Sequence, residues 1–266
     1  MKQVLMMVLV AAVMMFIGGC QKGSDEEVSP VGVEVLRPKP PGAEPREEPQ
    51  RPDISRGLVG WWKFDEASGT VAADSSGQGR AGTLREGAGF DKDSVEGRIG
   101  KGLYLSEGAY VQIEGYKGIT GTAPRTVAAW MKTKRDNGSI LSWGVEEGGG
   151  MFIFGFVPGR GRIGLTPQGG YLYMKARSND DTWHHVVAVV EEAEVPNLHD
   201  NAKVFLDGTI AEIHDIGILD LWPIDTGSDL DVMIGKGFEG ALDDVRLYDR
   251  ALSQKEIELL FKTGPK

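Results

Sequence analysis

The sequence predicts an all-β domain, either a sandwich or a barrel, that begins near residue 57 and ends in one short helix. From Gly57 onward, short apolar runs are broken by Gly, Asn and Asp at intervals of about 8 to 15 residues, which is typical of such folds. The 38 glycines indicate many tight turns. Ser253 and Glu256 form a Ser-x-x-Glu capping box, and apolar residues at helical spacing follow it. We therefore expect strands throughout and a helix only at the C-terminal end.

About 13 to 14 segments have the composition of strands, and most are separated by short turns. In the clearest hairpin, 202–213, Asp207 and Gly208 supply the positive φ angles of a type I′ turn. The predicted strands are 58–64, 82–84, 102–105, 110–113, 126–132, 139–143, 152–156, 163–165, 171–176, 183–191, 203–206, 210–213, 232–234 and 241–248.

The last predicted strand carries two adjacent aspartates. With the two-residue period of a strand, Asp243 shares a face with Val245 and Leu247. Asp244 and Arg246 fall on the opposite face, which we expect to meet solvent. A carboxylate on a core face is costly unless a cation or several donors meet it. Two interpretations of Asp243 stay open: it lies at the wet end of the strand, or it binds a metal or several hydrogen-bond donors.

The N-terminal residues have the pattern of an export signal. Lys2 precedes an apolar run, 4–17, that is shorter than the about 20 residues needed to span a membrane. The Ile-Gly-Gly-Cys sequence that ends at Cys20 resembles the lipobox of bacterial lipoproteins. That resemblance implies a signal peptide over 1–20, lipid attachment at Cys20 and, from Gln21, the outer membrane. A plain signal anchor is the alternative.

Residues 21–56 form a predicted disordered tether. They contain seven of the 13 prolines, mixed with Glu and Arg, and they have too little apolar surface to fold. Such a Pro-rich chain extends by about 3.1 Å per residue. The tether would hold the domain away from its anchor.

Charge and cysteine content exclude several classes of protein. The net charge is −10, and residues 57–266 carry 22 positive and 31 negative groups, a balance of −9. Because such a domain repels phosphate, we expect no nucleic-acid partner. The single cysteine, Cys20, excludes an intrachain disulfide. We expect a monomer.

Six runs of sequence, taken together, carry a family resemblance. They are 57–84, 100–113, 125–133, 181–191, 203–209 and 240–257. In order and spacing they resemble the LamG-like jellyroll domain of the concanavalin A-like lectin/glucanase superfamily. The resemblance implies that residues 57–266 form a jellyroll sandwich of two facing antiparallel sheets. It also implies a structural calcium ion near the edge of the sandwich.

The resemblance implies the ligands of that calcium ion. Asp74 opens a loop, 74–79, whose glycines turn backbone carbonyls toward one point. In the family this loop lies against the strand whose aspartate matches Asp243. Asp74, the carbonyl of Gly77 and Asp243 are therefore the candidate ligands, and they are of the oxygen type that calcium prefers. The alternative is that Asp74 only caps its own turn.

The sequence favours binding over catalysis. The Glu-x-Asp-x-(x)-Glu strand of retaining glucanases is missing, so we expect no enzyme. Exposed aromatic rings bind sugars, and the candidates are Trp222, Tyr171 and Tyr173, although Trp222 could instead cover a sheet edge. The alternative of a diverged glycoside hydrolase or polysaccharide lyase requires two carboxylates about 5 to 9.5 Å apart in an open groove.

These observations predict a lipid-anchored, extracytoplasmic protein of the cell envelope. Its domain would recognise a carbohydrate or a surface protein and would hold a structural calcium ion. A structural envelope protein without a ligand is a further alternative.

Overall fold

A computed structural model describes residues 52–106, 108–217 and 223–263. Strands predominate within them, and the helices are short. The strands are β1 (Leu58–Trp62), β2 (Val71–Ala72), β3 (Gly82–Arg85), β4 (Ser94–Glu96), β5 (Lys101–Leu105), β6 (Tyr110–Ile113), β7 (Arg125–Lys132), β8 (Ser139–Gly144), β9 (Met151–Phe156), β10 (Ile163–Thr166), β11 (Leu172–Met174), β12 (His184–Val190), β13 (Ala202–Leu206), β14 (Thr209–Ile210), β15 (Ile213–Ile216), β16 (Leu230–Ile234) and β17 (Gly240–Tyr248). The helices are α1 (Phe90–Asp93) and α2 (Gln254–Lys262).

The strands form two antiparallel sheets. Sheet A has eight strands in the order β14-β13-β12-β7-β17-β5-β4, with β1 also paired to β17. Sheet B has nine strands in the order β15-β11-β10-β9-β8-β16-β6-β3-β2. The predicted all-β jellyroll sandwich is confirmed, with 17 strands in the described ranges rather than 13 to 14.

The main hydrophobic core receives one face of each sheet. In β7, Val127, Ala129 and Met131 belong to this core, whereas Ala128 belongs to a separate cluster on the outer face of sheet A. This alternation follows from the two-residue period of a strand. Each large apolar side chain that is fully buried contributes about 1.5 to 3 kcal/mol to stability.

Helix α2 covers part of the outer face of sheet A. Its residues Ile257 and Leu260 form a second hydrophobic cluster with sheet residues such as Val187. The capping box is present: the Ser253 side chain accepts the Glu256 N–H, and the Glu256 carboxylate accepts the Ser253 N–H. The predicted C-terminal helix is confirmed.

Strand β17 changes partner along one of its edges. Its first residues, as far as Leu242, pair with β5, whereas Val245 and the residues after it pair with β1. On the other edge it pairs with β7, with a shift of register between Asp243 and Arg246. Asp244, within this shift, has φ of +50°. A β-bulge therefore lies where β17 exchanges one partner for another.

Two parts of the predicted secondary structure are wrong. Helix α1 and the very short strands β2 and β4 were not expected, because segments of two to four residues are too short to show a period. The predicted strand 210–213 is divided between β14, which pairs in sheet A, and β15, which pairs in sheet B.

Residues just before 57 contact the folded domain. Arg250 donates hydrogen bonds to the carbonyls of Asp53 and Arg56.

The predicted hairpin turn between β13 and β14 is confirmed. Leu206 and Thr209 pair across it, and the two residues between them have positive φ, +50° for Asp207 and +79° for Gly208. Both values are those that a type I′ turn requires.

Arg125, at the start of β7, is a fully buried cation. Its guanidinium donates five hydrogen bonds, to the carbonyls of Ile119 and Gly121, twice to that of Ala123, and to the hydroxyl of Thr226. Desolvation lowers the pKa of Arg125 to about 10, so the group stays charged at neutral pH. One side chain thus fixes the loop that leads into the central strand of sheet A.

Neither described helix has the length and apolar composition needed to cross a bilayer.

Candidate functional site

An elongated groove lies on the outer face of sheet A, beyond the cluster under α2. Its volume is about 420 Å³, and an adjoining hollow of about 350 Å³ shares Arg135 and Glu239 with it. We call it the Tyr104 groove; it is lined by Tyr104, Lys132, Thr133, Lys134, Arg135, Asp181, Glu239 and Gly240. A volume of this size suits a small ligand or part of a larger one.

Three neighbouring strands place the two principal side chains of the Tyr104 groove. Ala241 of β17 pairs with Tyr104 of β5 on one side and with Lys132 of β7 on the other. All three lie on the outer face, because Leu105 and Leu242, the next residues along their strands, belong to the main core. Ala241, which has a small side chain, lies between Tyr104 and Lys132 in this row.

Two loops close one end of the groove. The Thr133 hydroxyl donates to the Glu239 carbonyl at 2.6 Å, and the Asn137 amide donates to the Gly237 carbonyl at 2.7 Å. Gly240 has φ of +151°, and a Cβ at this position would lie 2.6 Å from a backbone oxygen of β7. Only glycine allows this close approach between the strands.

The charged side chains of the groove are unequally paired. Lys134 lies 3.2 Å from Asp181, and Arg135 lies 3.2 Å from Glu239. Lys132 has no ion pair or hydrogen bond within the part of the chain that the structure describes. Tyr104 is 41% exposed, and its ring has no stacking partner among those residues. The groove therefore offers an open aromatic ring and an available cation.

Sequence reasoning missed this groove, although one signal was present. In 101–105, Leu103 and Leu105 share the apolar face, so the strand period places Tyr104 on the opposite face. Its pairing with β17, more than a hundred residues later, could not be read from the sequence.

Asp74 organises its own loop. Its Oδ1 accepts the N–H groups of Trp61 at 3.1 Å and Ser76 at 2.8 Å, and its Oδ2 accepts that of Arg80 at 2.9 Å. Desolvation raises the pKa of Asp74, but these hydrogen bonds outweigh it and hold the pKa below its usual value. Gly77, in the same loop, has φ of +83° and open space where a Cβ would be. The carboxylate is thus charged and already holds three donors.

Asp243 has a different environment. It is fully buried, and its Oδ2 accepts the N–H of Ile99 at 2.7 Å, but its Oδ1 has no hydrogen-bond partner among the described residues. Burial is the main cause that raises the pKa of Asp243 to about 7, and the charges of Asp244 and Asp65 add to it. A proton or a bound cation would neutralise the buried Asp243 carboxylate.

The predicted face of Asp243 is wrong, although Val245 and Leu247 lie in the main core as expected. Leu242 and Val245 both belong to the main core, so the bulge adds a residue between them and the two-residue period does not hold. Asp243 does not share the core face of Val245 and Leu247. Together with Asp244 it lines a cavity of about 350 Å³ on the outer side, the Asp243 cavity, whose walls are Ile54, Ser55, Leu58, Trp61, Lys63, Asp65, Ile99, Asp243, Asp244, Arg246 and Thr263.

Asp244 and Arg246 were expected to face solvent, and both are 7% exposed. They form an ion pair of 3.0 Å, and Asp244 also accepts the indole N–H of Trp61. This part of the sheet is covered by residues 54–58 and by the end of α2. A strand pattern alone cannot show such a cover, so both side chains were expected to be exposed.

The structure places the candidate calcium ligands on two sides of β1. Trp62 bridges to Asp74 on one side and pairs with Val245, near Asp243, on the other. Two strand spacings amount to about 10 Å. Within residues 52–106, 108–217 and 223–263, no three His, Cys, Asp or Glu side chains are placed to hold one metal ion. The unpartnered oxygen of Asp243 fits a cation, whereas Asp74 is already engaged by backbone donors.

Tyr171 and Tyr173 lie near the β15 edge of sheet B. Their rings are 5.6 Å apart, and the Arg160 guanidinium lies 4.9 Å from the centre of the Tyr171 ring. Tyr173 is only 4% exposed, and both hydroxyls approach Asp215 at 3.4 Å. Neither tyrosine lines the Tyr104 groove. Trp222 and Cys20 lie outside the described residues.

Comparisons with known proteins agree with this fold. A family model described as the concanavalin A-like lectin/glucanases superfamily matches residues 105–258. A similar solved structure is domain 4 of AbnA, a GH43 extracellular arabinanase from Geobacillus stearothermophilus, in complex with arabinotriose, with a TM-score of 0.55 and 18% identity over 76% of this chain and 97% of that one. Another is the binding domain of Paraclostridial Mosquitocidal Protein 1, with a TM-score of 0.51 and 17% identity over 79% of this chain and 52% of that one. No sequence among curated proteins is significantly similar to the chain.

The match extends from the end of β5 into α2 and covers more than half of the sequence. It includes the two strands, β7 and β17, that lie at the centre of sheet A and carry Lys132 and Asp243. The chain belongs to the concanavalin A-like lectin/glucanase superfamily.

Proposed function

We propose that the protein is a carbohydrate-binding protein of the cell envelope and that the sugar binds in the Tyr104 groove. The observation that carries this proposal is the position of Tyr104. Among the described Phe, Tyr and Trp residues it is the most exposed, and it lies in an open groove with charged and polar groups around it. Sugar recognition needs an apolar ring face and a few polar groups in such an arrangement.

The similar arabinanase domain adds support, since it was solved with arabinotriose. The fold alone does not define a ligand. The choice of the Tyr104 groove therefore depends on its own side chains and not on the similarity.

A glycan array probed with the purified protein tests the proposal, with arabino-oligosaccharides included. We expect Tyr104→Ala to weaken binding to the best ligand about fivefold or more, as expected for an anchoring aromatic residue. Tyr171→Ala should leave the affinity unchanged. If only the Tyr171 variant loses binding, the sugar site lies at the edge of sheet B and not in the Tyr104 groove. If the wild-type protein binds no glycan, a structural role or a protein partner is favoured instead.

We propose further that the protein has no catalytic activity. The two carboxylates of the groove, Asp181 and Glu239, are each engaged in an ion pair with a cation. We expect no release of reducing sugar or unsaturated product from any polysaccharide that binds. Turnover that disappears in Glu239→Gln would establish the hydrolase or lyase alternative.

Calcium is a separate proposal, and it rests on Asp243. A calcium ion would supply the positive charge that the unpartnered Oδ1 lacks. At about 100 times its dissociation constant, calcium should raise the free energy of unfolding by about 2.7 kcal/mol. We expect Asp243→Asn to lose this dependence and Asp249→Asn to keep it. If chelator leaves the melting temperature of the wild-type protein unchanged, Asp243 binds a proton instead.

The anchor is proposed from the sequence, because Cys20 lies outside the described residues. Lipid on this cysteine would hold the protein in the envelope, in the outer membrane of a two-membrane cell. Cys20→Ser should prevent labelling by a fatty-acid analogue and should leave unprocessed precursor. Normal processing and membrane fractionation of this variant would exclude lipid attachment at Cys20.

A further inference from the structure

We propose that the ligand of the Tyr104 groove is an acidic glycan whose sugar carries a carboxylate, as in a uronic acid. This inference rests on the proposed carbohydrate-binding function and goes beyond it by naming the class of sugar. The charges of the groove, some paired and one unpaired, support this class of sugar.

Lys132 is the central observation. It is half-buried on β7, in the middle of sheet A, and no described residue forms an ion pair or hydrogen bond with its side chain. A partly desolvated ammonium group interacts more strongly with an anion than a fully exposed one does. Tyr104 lies on the same row of the sheet, with only Ala241 between them. A sugar ring on Tyr104 would thus present a substituent to the Lys132 ammonium.

The other cations of the groove can also serve an anionic ligand. Lys134 and Arg135 have side chains that are 76% and 63% exposed. Ion pairs at such positions contribute little, about 0 to 1 kcal/mol. Either cation can therefore turn from its carboxylate partner toward a ligand at small cost.

The charge balance limits how acidic the ligand is. Three cations and two carboxylates line the groove, which leaves one positive charge on a domain whose residues 57–266 carry a balance of −9. One carboxylate for each bound sugar matches that surplus. Asp181 and Glu239 would repel a sulfated or phosphorylated sugar with several charges.

The experiment compares acidic glycans with neutral forms of the same sugars. The probes are polygalacturonate, alginate and glucuronoxylan, each before and after chemical reduction of its carboxyl groups. We expect binding to at least one acidic form, and we expect carboxyl reduction to weaken it about tenfold or more, as for the loss of a charged hydrogen bond. Added salt should weaken the binding as well.

Two variants locate the interaction. Lys132→Gln should weaken binding to the acidic glycan about tenfold or more. Lys175→Gln removes an exposed lysine that pairs with Glu212 beside sheet B, and it should leave the affinity unchanged. Lys132→Met repeats the test with a side chain that keeps the length and the apolar contacts.

The outcomes separate the two proposals. If neutral glycans bind in a manner that depends on Tyr104, and carboxyl reduction or Lys132→Gln has no effect, the acidic class is wrong and carbohydrate binding stands. If no glycan binds, acidic or neutral, both proposals are overturned.

Discussion

Among the described residues, the ionisable side chains of Arg125 and Asp243 are completely buried, and their surroundings differ. Arg125 donates five hydrogen bonds to oxygen atoms around it, and it keeps its charge although burial lowers its pKa to about 10. Asp243 has a partner for only one carboxylate oxygen in the described part of the chain, and burial raises its pKa to about 7. The number of hydrogen-bond partners, and not burial alone, decides whether a buried group stays charged.

The largest change in stability should come from replacing Arg125, the buried cation with five hydrogen bonds. Arg125→Met leaves buried carbonyl oxygens without donors, and we expect the free energy of unfolding to fall by about 3 to 5 kcal/mol. Arg125→Lys should lose less, because an ammonium group still donates to part of this set. Denaturation in urea measures both variants. If the Met variant is as stable as wild type, the hydrogen bonds of Arg125 do not stabilise the loop.

Removing the charge of Asp243 should raise the free energy of unfolding, by less than the loss of Arg125 lowers it. In the presence of chelator at pH 8, Asp243→Asn should stabilise the protein by about 2 kcal/mol, because the buried carboxylate is ionised at that pH and its Oδ1 has no hydrogen-bond partner among the described residues. The amide carbonyl of the variant can still accept the N–H of Ile99. Urea denaturation at this pH checks the sign, and a destabilised variant would contradict the comparison with Arg125.

The difference in stability between wild type and Asp243→Asn should depend on pH, because the pKa of Asp243 is raised in the folded protein. The folded-state pKa of Asp243, about 7, lies above the ordinary aspartate value of 3.8. The stability linked to this proton is therefore complete below about pH 4 and is lost as the pH rises through 7. The difference in unfolding free energy between the Asn variant and wild type should grow over this interval and become constant above it.

The smallest change in stability should come from replacing Ser253, an exposed residue whose side chain accepts a hydrogen bond at the start of α2. Ser253 caps α2 with its side chain, and Ser253→Ala should lower the free energy of unfolding by about 1 kcal/mol. Water replaces part of the lost hydrogen bond at this site, which it cannot do around Arg125. Thermal unfolding of Ser253→Thr, which keeps the cap, provides the control. Equal losses in the Ala and Thr variants would show that the cap does not contribute.

The regular part of the fold was predictable because it depends on local patterns. The apolar composition of 126–132 predicted a strand, which is β7, and the capping box placed the start of α2 at Ser253. The environment of Asp243 was not predictable, because a bulge interrupts the period and residues 54–58 cover that side of the sheet. The Tyr104 groove depends on the pairing of Tyr104 with Ala241, which are 137 positions apart. Contacts over such distances leave no periodic signal in the sequence.

The central position of β17 in sheet A has a consequence for the order of folding. It is the last strand of the described residues, yet it pairs with β1, β5 and β7. Leu58 and Tyr248, which pair in this sheet, are 190 positions apart. Sheets built from such distant pairings fold slowly, in about milliseconds to seconds. A chain that emerges from its N-terminus cannot complete sheet A before Gly240–Tyr248 has emerged. The unfinished domain therefore remains open until β17 is available, and fragments that end before Gly240 should stay unfolded.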